Sequence, residues 1–171
     1  MRIYLVGFMG SGKSTLGRAV AQHYEVPFFG TDEEIEKREE MSVFDIFTDK
    51  GELYFRALEN EILKATTADS KSIVATGGGL PCHDNNMDFI LQHGISIYLE
   101  WSIAKIITNL RKEVSTRPIL AGFAPEHRER NIEALFNQRI PFYEKAALTI
   151  EMSGDLEKDQ AALIKACRYI W

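Results

Sequence analysis

Short apolar stretches alternate along this chain with longer segments in which apolar residues recur every three or four positions. The short stretches are rich in Ile, Val, Phe and Tyr and end in glycine or polar residues, a pattern that predicts β-strands. They read RIYLVG, VPFFG, SIVATG, ISIYLE and ALTIEM. Strands that alternate with helices predict an α/β domain, in which helices cover both faces of a central five-stranded parallel sheet.

The intervening segments predict amphipathic helices that pack on this sheet. In KSTLGRAVAQHY the predicted buried face comprises Leu16, Val20 and Tyr24. In DLEKDQAALIKACRYI it comprises Leu156, Leu163, Ala166 and Ile170. Residues 31–67 contain no convincing strand, which predicts two or three helices inserted between the second and third strands. In KEVSTRPILAGFAPEH, two prolines and a glycine predict a mobile loop that leads into the helix EHRERNIEALFNQRI.

The length and charge of the chain narrow the range of possible partners. With 171 residues and 45% hydrophobic content the chain can bury one core, so residues 1–171 are expected to form a single domain. A net charge of −5 gives no basic excess for nucleic acid, and no apolar stretch approaches the roughly 20 residues that span a membrane. The amino terminus lacks the features of a signal peptide, and the two cysteines do not suggest a disulfide framework. We therefore expect a cytoplasmic monomer that acts on a small soluble partner.

The stretch GFMGSGKST, residues 7–15, satisfies the phosphate-binding pattern G-x-x-x-x-G-K-[ST] between a predicted strand and a predicted helix. Backbone N–H groups and the positive end of the helix favour phosphate oxygens in such a loop. Lys13 would bridge the β and γ phosphates of ATP, and Ser14 would coordinate Mg²⁺. A glycine-rich turn that binds nothing would not explain a lysine followed by a hydroxyl at these positions. The predicted nucleotide-binding residues of the loop are Gly10, Ser11, Gly12, Lys13, Ser14 and Thr15.

Five further motifs follow the loop, in the order GTDEEIEKR, GELYFRALE, VATGGGLP, RPIL and NQRIPFY. Together with the loop, this series closely resembles the shikimate kinase family over about residues 3–143. The resemblance implies a three-layer αβα P-loop kinase fold, similar to nucleoside-monophosphate kinases. It implies an enzyme that uses ATP and Mg²⁺ to phosphorylate a hydroxyl of shikimate in the pathway to aromatic amino acids. It also implies a substrate-binding helical insertion at about residues 31–67 and a mobile lid at about residues 111–124.

The resemblance assigns the charged residues of the acceptor site. Arg56 and Arg139 match the family's arginines that grip the shikimate carboxylate, a task suited to a guanidinium fork. Asp32 matches the second acidic residue of the family's D-x-D motif and would position or deprotonate the attacking hydroxyl. Glu59, one helical turn from Arg56, is expected to hold it in place. Without the motif context, the arginines would be interpreted as surface ion pairs and Asp32 as a charge that favours a helix dipole.

The resemblance also assigns the walls of this site. Gly77, Gly78 and Gly79 match the family's glycine triplet, whose missing side chains would leave room for the substrate against bare backbone. Phe47 and Phe55 are expected to form apolar walls. The alternative interpretations are that the glycines form a flexible turn and that the phenylalanines, taken singly, belong to the core.

Two further arginines are assigned to the nucleotide. Arg117, in STRPIL, matches the family's lid arginine, a positive charge that closes over the transferring phosphoryl group. We therefore expect Arg117 to act in catalysis together with Lys13 and Asp32. Arg111, six positions earlier, is expected to flank the adenine.

The chain departs from the family at position 30, where Gly30 replaces the first Asp of the D-x-D motif. In the family this carboxylate helps to hold Mg²⁺, usually through water, so its loss predicts weaker metal binding by Ser14, the phosphates and water. Alternatively, a positive φ or a close approach of backbone requires glycine here. Two other functions stay open. One is a kinase for another hydroxylated acid such as gluconate, and the other is a nucleotide-binding regulatory module without transfer chemistry.

Overall fold

The computed structural model of the protein describes residues 1–69, 71–111 and 118–171. The strands are β1 (Arg2–Val6), β2 (Phe28–Gly30), β3 (Ile73–Ala75), β4 (Gly94–Glu100) and β5 (Leu148–Glu151). They form one parallel sheet in the order β2-β3-β1-β4-β5. The α-helices within these residues are α1 (Lys13–His23), α2 (Thr31–Glu39), α3 (Val43–Ala65), α4 (Asn86–His93), α5 (Ile103–Leu110), α6 (Pro118–Ala121), α7 (Arg128–Tyr143) and α8 (Leu156–Arg168). In this part of the chain, no helix is long and apolar enough to cross a membrane.

Side chains of the central strand β1 alternate between two cores, one on each face of the sheet. Ile3 and Leu5 belong to a core that α1 and α8 cover, whereas Tyr4 and Val6 belong to a core that α4, α5 and α7 cover. Successive side chains of a strand point to opposite faces, so a strand with four consecutive apolar residues, as β1 has from Ile3 to Val6, needs cover on both sides. The predicted three-layer α/β fold with a five-stranded parallel sheet is therefore confirmed.

Two helices, α2 and α3, fill the segment between β2 and β3, as the lack of a strand signal predicts. They share a small core of their own, which comprises Ile35, Ile46, Phe55 and Leu58. The helix α3 is interrupted at Gly51, whose φ of 83° and ψ of 166° are open to glycine but strained for residues with a Cβ. The interruption divides α3 into two segments that line different parts of the same cavity.

One predicted core position of α8 is wrong. Leu156 is 58% exposed, although the rest of the predicted face is buried or partly buried. The inward-facing position of the first turn is taken by Asp159, whose carboxylate accepts hydrogen bonds from the N–H groups of Ser153 and Gly154 at 2.7 and 3.1 Å. Backbone N–H groups that lead into a helix need polar partners, so the hydrophobic pattern does not extend into this turn.

We expect Asp159→Ala to lower the free energy of unfolding by about 2 to 4 kcal/mol, because it leaves two backbone N–H groups without their acceptor. Leu156→Ala is a matched control on the same helix. It should change the free energy of unfolding by about 0.5 kcal/mol or less, since its side chain is already exposed. Urea unfolding followed by circular dichroism measures both variants. Equal losses of stability would contradict the inward-facing role of Asp159.

Candidate active site

The phosphate-binding loop connects the end of β1 to the start of α1. Gly12 precedes the helix with φ 79° and ψ 13°, a left-handed conformation that glycine adopts without strain. The Lys13 ammonium is buried and donates hydrogen bonds to the carbonyl oxygens of Gly7 and Phe8, both at 2.8 Å, and to the Ser11 hydroxyl at 3.1 Å. Oxygen atoms of the loop therefore hold the positively charged Lys13 ammonium in place, within reach of an incoming phosphate.

A cavity of about 460 Å³, here called the phosphate cavity, opens on this loop. Its lining residues are Met9, Gly10, Gly12, Lys13, Ser14, Thr15, Asp32, Thr76, Gly78, Thr108 and Asn109. Every predicted loop residue lines it except Ser11, which is buried and supports Lys13 through its hydroxyl. The sequence motifs did not indicate Thr108 and Asn109, because these residues reach the loop from α5 and belong to no short pattern.

A second cavity of about 300 Å³, here called the acceptor cavity, adjoins the first. The residues that line both are Met9, Ser14, Asp32 and Gly78. The residues that line the acceptor cavity alone are Glu36, Val43, Phe47, Phe55, Arg56, Glu59, Gly79, Pro118, Ile119 and Arg139. Phe47 and Phe55 pack against each other with ring centroids 4.6 Å apart and ring planes tilted by 44°, and they supply an apolar side. A ligand on the loop and a small polar molecule in the acceptor cavity would therefore meet at Ser14 and Asp32.

The acceptor cavity contains two buried arginines with different partners. Arg56 donates from Nη1 to Glu59 at 2.6 Å, and from Nε and Nη2 to Glu52 at 3.1 and 2.8 Å. Carboxylates therefore engage all three of its nitrogen atoms. Arg139 lies over the Phe8 ring, 5.5 Å from the centroid, and its buried Nη1 has no hydrogen-bond partner within the described residues. Because a buried donor without a partner is unfavourable, Arg139 is the stronger attractor for an anion in this cavity.

The glycine triplet makes room for the protein's own charged groups. A Cβ at Gly77 would collide with the carboxylates of Asp32 and Glu59. A Cβ at Gly79 would lie 2.6 Å from Nη1 of Arg56. The expectation that these glycines leave space for the substrate is therefore refined, because much of that space holds the acids and the arginine that line the acceptor cavity.

Two side chains that sequence reasoning missed fix the backbone of this triplet. The Thr31 hydroxyl accepts a hydrogen bond from the Gly77 N–H at 2.8 Å, and the buried Tyr143 hydroxyl donates to the Gly78 carbonyl oxygen. Gly78 in turn lies against the phosphate-binding loop, where a Cβ would come within 2.9 Å of the Met9 nitrogen. Tyr143 belongs to the motif NQRIPFY, but only its contact across the fold shows what it does.

The buried Glu59 carboxyl group of the acceptor cavity has a raised pKa. Burial raises its pKa to about 7, against the opposing effect of the Arg56 guanidinium, and the neighbouring Asp32 carboxylate raises it further. In contrast, the bonds that Arg56 donates lower the pKa of the more exposed Glu52. The two acids that bind Arg56 therefore differ in protonation, since Glu52 stays ionised at neutral pH whereas Glu59 gains or loses its proton near neutral pH.

Gly30 has an extended backbone with φ −98° and ψ 116°, which is open to any residue. The interpretation that position 30 needs a positive φ is therefore wrong. The nearest group is the Glu33 carboxyl, whose Cδ would lie 2.9 Å from a Cβ at position 30. Glu33 pairs with Arg18 and its side chain is 42% exposed, so this carboxyl can move aside. The backbone is compatible with an aspartate at this position.

The residues at the junction of the two cavities fit a magnesium ion that arrives with phosphates. Mg²⁺ prefers oxygen ligands and is usually bound by one or two protein groups together with phosphate and water. Ser14 and Asp32 supply a hydroxyl and a carboxylate at this junction. Within residues 1–69, 71–111 and 118–171, no group of three or more His, Cys, Asp or Glu side chains could hold a metal ion by itself.

Of the two arginines predicted to serve the nucleotide, only Arg111 lies within the described residues, and it does not line the phosphate cavity. Arg117 falls within residues 112–117, outside the described residues. Arg111 follows α5 and pairs with Glu129 at 3.0 Å on the surface. It lines a separate cavity of about 230 Å³ beside the site. The role of Arg111 at the adenine stays a prediction.

A loop that buries a lysine and opens onto a pocket of arginines and carboxylates defines a P-loop phosphotransferase with a small-molecule acceptor. A family model described as shikimate kinase matches residues 9–167 of the chain. The chain belongs to the shikimate kinase family.

Individual relatives match most of the chain. The shikimate kinase of Aquifex aeolicus is 36% identical over 151 residues, which cover 88% of this chain and 86% of that protein. The crystal structure of shikimate kinase from Bacteroides thetaiotaomicron matches with a TM-score of 0.87 at 32% identity and covers 98% of both chains. Shikimate kinase from Acinetobacter baumannii in complex with shikimate gives a TM-score of 0.89 at 30% identity, with 98% of this chain and 93% of that chain covered.

Glu59 should make the stability of the protein depend on pH. Its pKa is about 7 in the folded protein against an ordinary value of 4.5, so the folded state binds this proton more tightly. Its contribution to stability is full below the ordinary pKa and is lost as the pH rises through the folded pKa. Relative to a Glu59→Gln variant, the wild-type free energy of unfolding should fall by up to about 3 kcal/mol between about pH 5 and pH 8.

Urea titrations of both proteins across this pH range measure the difference, from which the titration of groups that do not interact with Glu59 cancels. A difference that stays constant with pH would contradict the raised pKa of Glu59.

Proposed function

We propose that the protein transfers the γ phosphoryl group of ATP to a hydroxyl of shikimate, giving shikimate 3-phosphate and ADP. The observation that carries this proposal is the junction of the two cavities at Ser14 and Asp32, where a nucleotide on the loop meets an acid held by arginines. The arginines call for a carboxylate on the acceptor. Membership of the shikimate kinase family supports shikimate as that acid.

In this proposal Arg139 makes the first contact with the carboxylate of shikimate, since its Nη1 has no hydrogen-bond partner among the residues described. Arg56 completes the clamp when Glu52 releases it. The Glu52 side chain is 54% exposed and can turn to water, whereas Glu59 is buried and keeps Arg56 oriented. Two guanidinium groups on one carboxylate fix the orientation of the ring and therefore the position of the reacting hydroxyl.

Asp32 positions the attacking hydroxyl and receives its proton. The hydroxyl oxygen forms a bond to the γ phosphorus as the bond from that phosphorus to the bridging oxygen breaks, and ADP leaves with the electron pair. Lys13 moves from the loop carbonyls to the β and γ phosphates, where its charge offsets the negative charge that develops on the leaving oxygen. Backbone N–H groups from Gly10 to Thr15 hold the phosphates in line with the acceptor.

The remaining assignments rest on the family resemblance. Mg²⁺, held by the Ser14 hydroxyl together with phosphate oxygens and water, would neutralise part of the phosphate charge. We propose that Arg117 supplies a second positive charge, in addition to that of Lys13, to the transferring phosphoryl group. We propose that Arg111 contacts the adenine. Because one chain supplies both cavities, we also propose that residues 1–171 act as a single-domain monomer in the cytoplasm.

Release of ADP, measured in a coupled assay with shikimate, with gluconate and without an acceptor, tests this function. We expect release to depend on shikimate. Lys13→Ala should abolish release without a change in far-ultraviolet circular dichroism, because the lysine serves the phosphates rather than the core. Turnover with gluconate alone would identify a kinase for another hydroxylated acid. Nucleotide binding without transfer to either acid would identify a regulatory module.

Arg139→Ala should weaken shikimate binding by about 2 to 5 kcal/mol and leave ADP affinity nearly unchanged, because the variant removes one partner of a buried charge pair. Arg56→Ala should weaken shikimate binding similarly. It should also lower the melting temperature, since it leaves the buried Glu59 without its ion-pair partner. Calorimetric titrations with shikimate and with ADP, beside thermal melts, measure these effects. Unchanged shikimate affinity in both variants would contradict the carboxylate clamp.

Gly30→Asp should lower the Mg²⁺ concentration needed for half-maximal activity by up to about 10-fold, the usual scale for a carboxylate that orients metal-bound water. The melting temperature should stay nearly constant, because the backbone at position 30 is extended and Glu33 is free to shift. A Mg²⁺ titration run beside a thermal melt measures both. If the Mg²⁺ requirement does not change, position 30 has no part in metal binding.

A further inference from the structure

Two side chains from the segment after β4 hold the tip of the phosphate-binding loop from outside. The Trp101 indole donates from Nε1 to the carbonyl oxygen of Ser11 at 3.0 Å. Asn109, on α5, donates from Nδ2 to the carbonyl oxygen of Gly10 at 3.0 Å. Two consecutive carbonyls of the loop are therefore bonded to side chains from a distant part of the sequence.

Both donors lie in packed parts of the structure. Trp101 packs against the cores on both faces of the sheet, and the Lys105 ammonium lies 5.8 Å from the centre of its ring. Asn109 is followed by the fully buried Leu110, which lies so close to Gly10 that a Cβ there would come within 2.9 Å. The donors thus belong to packed structure, whereas the acceptors belong to a glycine-rich loop.

The geometry of the peptide bond relates these contacts to the phosphate cavity. In a trans peptide the C=O and the N–H point in opposite directions. A Ser11 carbonyl that is bonded to Trp101 therefore directs the Gly12 N–H away from the indole. Gly12 lines the phosphate cavity, so its N–H is available there to a phosphate oxygen.

The loop would otherwise have access to less suitable conformations. Gly10 and Gly12 have φ values of 75° and 79°, and glycine moves between positive and negative φ at little cost. A rotated peptide would turn a carbonyl toward the phosphates, where the like charges repel. Hydrogen bonds that hold the Gly10 and Ser11 carbonyls away from the phosphate cavity keep the loop ordered before the nucleotide arrives. They therefore reduce the free-energy cost of ordering the loop on binding.

We infer that Trp101 and Asn109 are positioning residues for the nucleotide, which hold the phosphate-binding loop with its N–H groups toward the phosphates. The inference rests on the nucleotide-binding role proposed above for the loop. Trp101 is the sharper test of the two, because Asn109 lines the phosphate cavity and Trp101 does not. An effect of Trp101 on the nucleotide must therefore act through the loop.

Trp101→Phe keeps an aromatic ring and removes the N–H donor. We expect ADP affinity, measured by calorimetry in the absence of an acceptor, to fall about 2- to 10-fold, the equivalent of one hydrogen bond. The KM for ATP should rise by a similar factor, while shikimate affinity and kcat at saturating ATP stay within about twofold of the wild type. Asn109→Leu, which removes the second donor, should weaken ADP binding to a similar extent.

Trp171→Phe is the matched control. The Trp171 indole makes the same type of bond, from Nε1 to the Met1 carbonyl oxygen at 2.7 Å, but at the opposite end of β1 from the loop. Its loss should leave ADP affinity unchanged. Since the chain has two tryptophans, this variant also leaves Trp101 as the only indole. Its fluorescence should respond to ADP, and hydrogen exchange at its Nε1 should slow when ADP is bound.

Equal ADP affinities of the wild type and Trp101→Phe would overturn the inference, as would equal losses in Trp101→Phe and Trp171→Phe. Both outcomes leave shikimate-dependent turnover, and with it the proposed function, intact. Conversely, a protein whose ADP affinity depends on Trp101 but which transfers no phosphoryl group to shikimate would refute the proposed acceptor and support the inference.

Discussion

The parallel pairing of β1 with β3 determines where the chemistry of this protein can take place. The Leu5 carbonyl oxygen accepts hydrogen bonds from both the N–H and the hydroxyl of Thr76, at 3.1 and 3.0 Å. Directly after these paired residues, one strand becomes the phosphate-binding loop and the other becomes the glycine triplet. Neighbouring parallel strands end at the same edge of a sheet, so the two loops share one wall. The donor and acceptor cavities are adjacent for this reason.

The acceptor cavity keeps positive charge in a buried place by pairing it with its own acids. Arg56 pairs with Glu52 and Glu59. Of these two side chains, only that of Glu52 is exposed enough to turn into solvent. A cavity of unpaired arginines would be costly to bury. In the proposed complex, the carboxylate of shikimate would replace one that is already present, so that binding would exchange partners and would not have to create a new ion pair. Arg139, whose Nη1 has no hydrogen-bond partner among the described residues, would attract that carboxylate first.

Much of this arrangement could be predicted from the sequence, and the exceptions have a common physical cause. The strands are readable because their apolar residues form uninterrupted runs, and Arg56 and Asp32 are found because short motifs surround them. Leu156 is exposed although its spacing predicts a buried position, because hydrophobic spacing carries no information about the hydrogen-bond partners that the N–H groups before a helix require. The roles of Tyr143 and Trp101 depend on hydrogen bonds to carbonyls that lie far away along the chain, and local patterns carry no information about such contacts.

The interruption of α3 at Gly51 places the two sides of the acceptor cavity on different helical segments. Val43 and Phe47 precede Gly51, whereas Phe55, Arg56 and Glu59 follow it, and a Cβ at Gly51 would meet open space among the described residues. The first segment therefore contributes only apolar side chains to the cavity, and it is not continuous in helical geometry with the second, which carries the charged groups and Phe55. A protein engineer who wished to admit a bulkier acid would vary the first segment, leaving the recognition of the carboxylate in place.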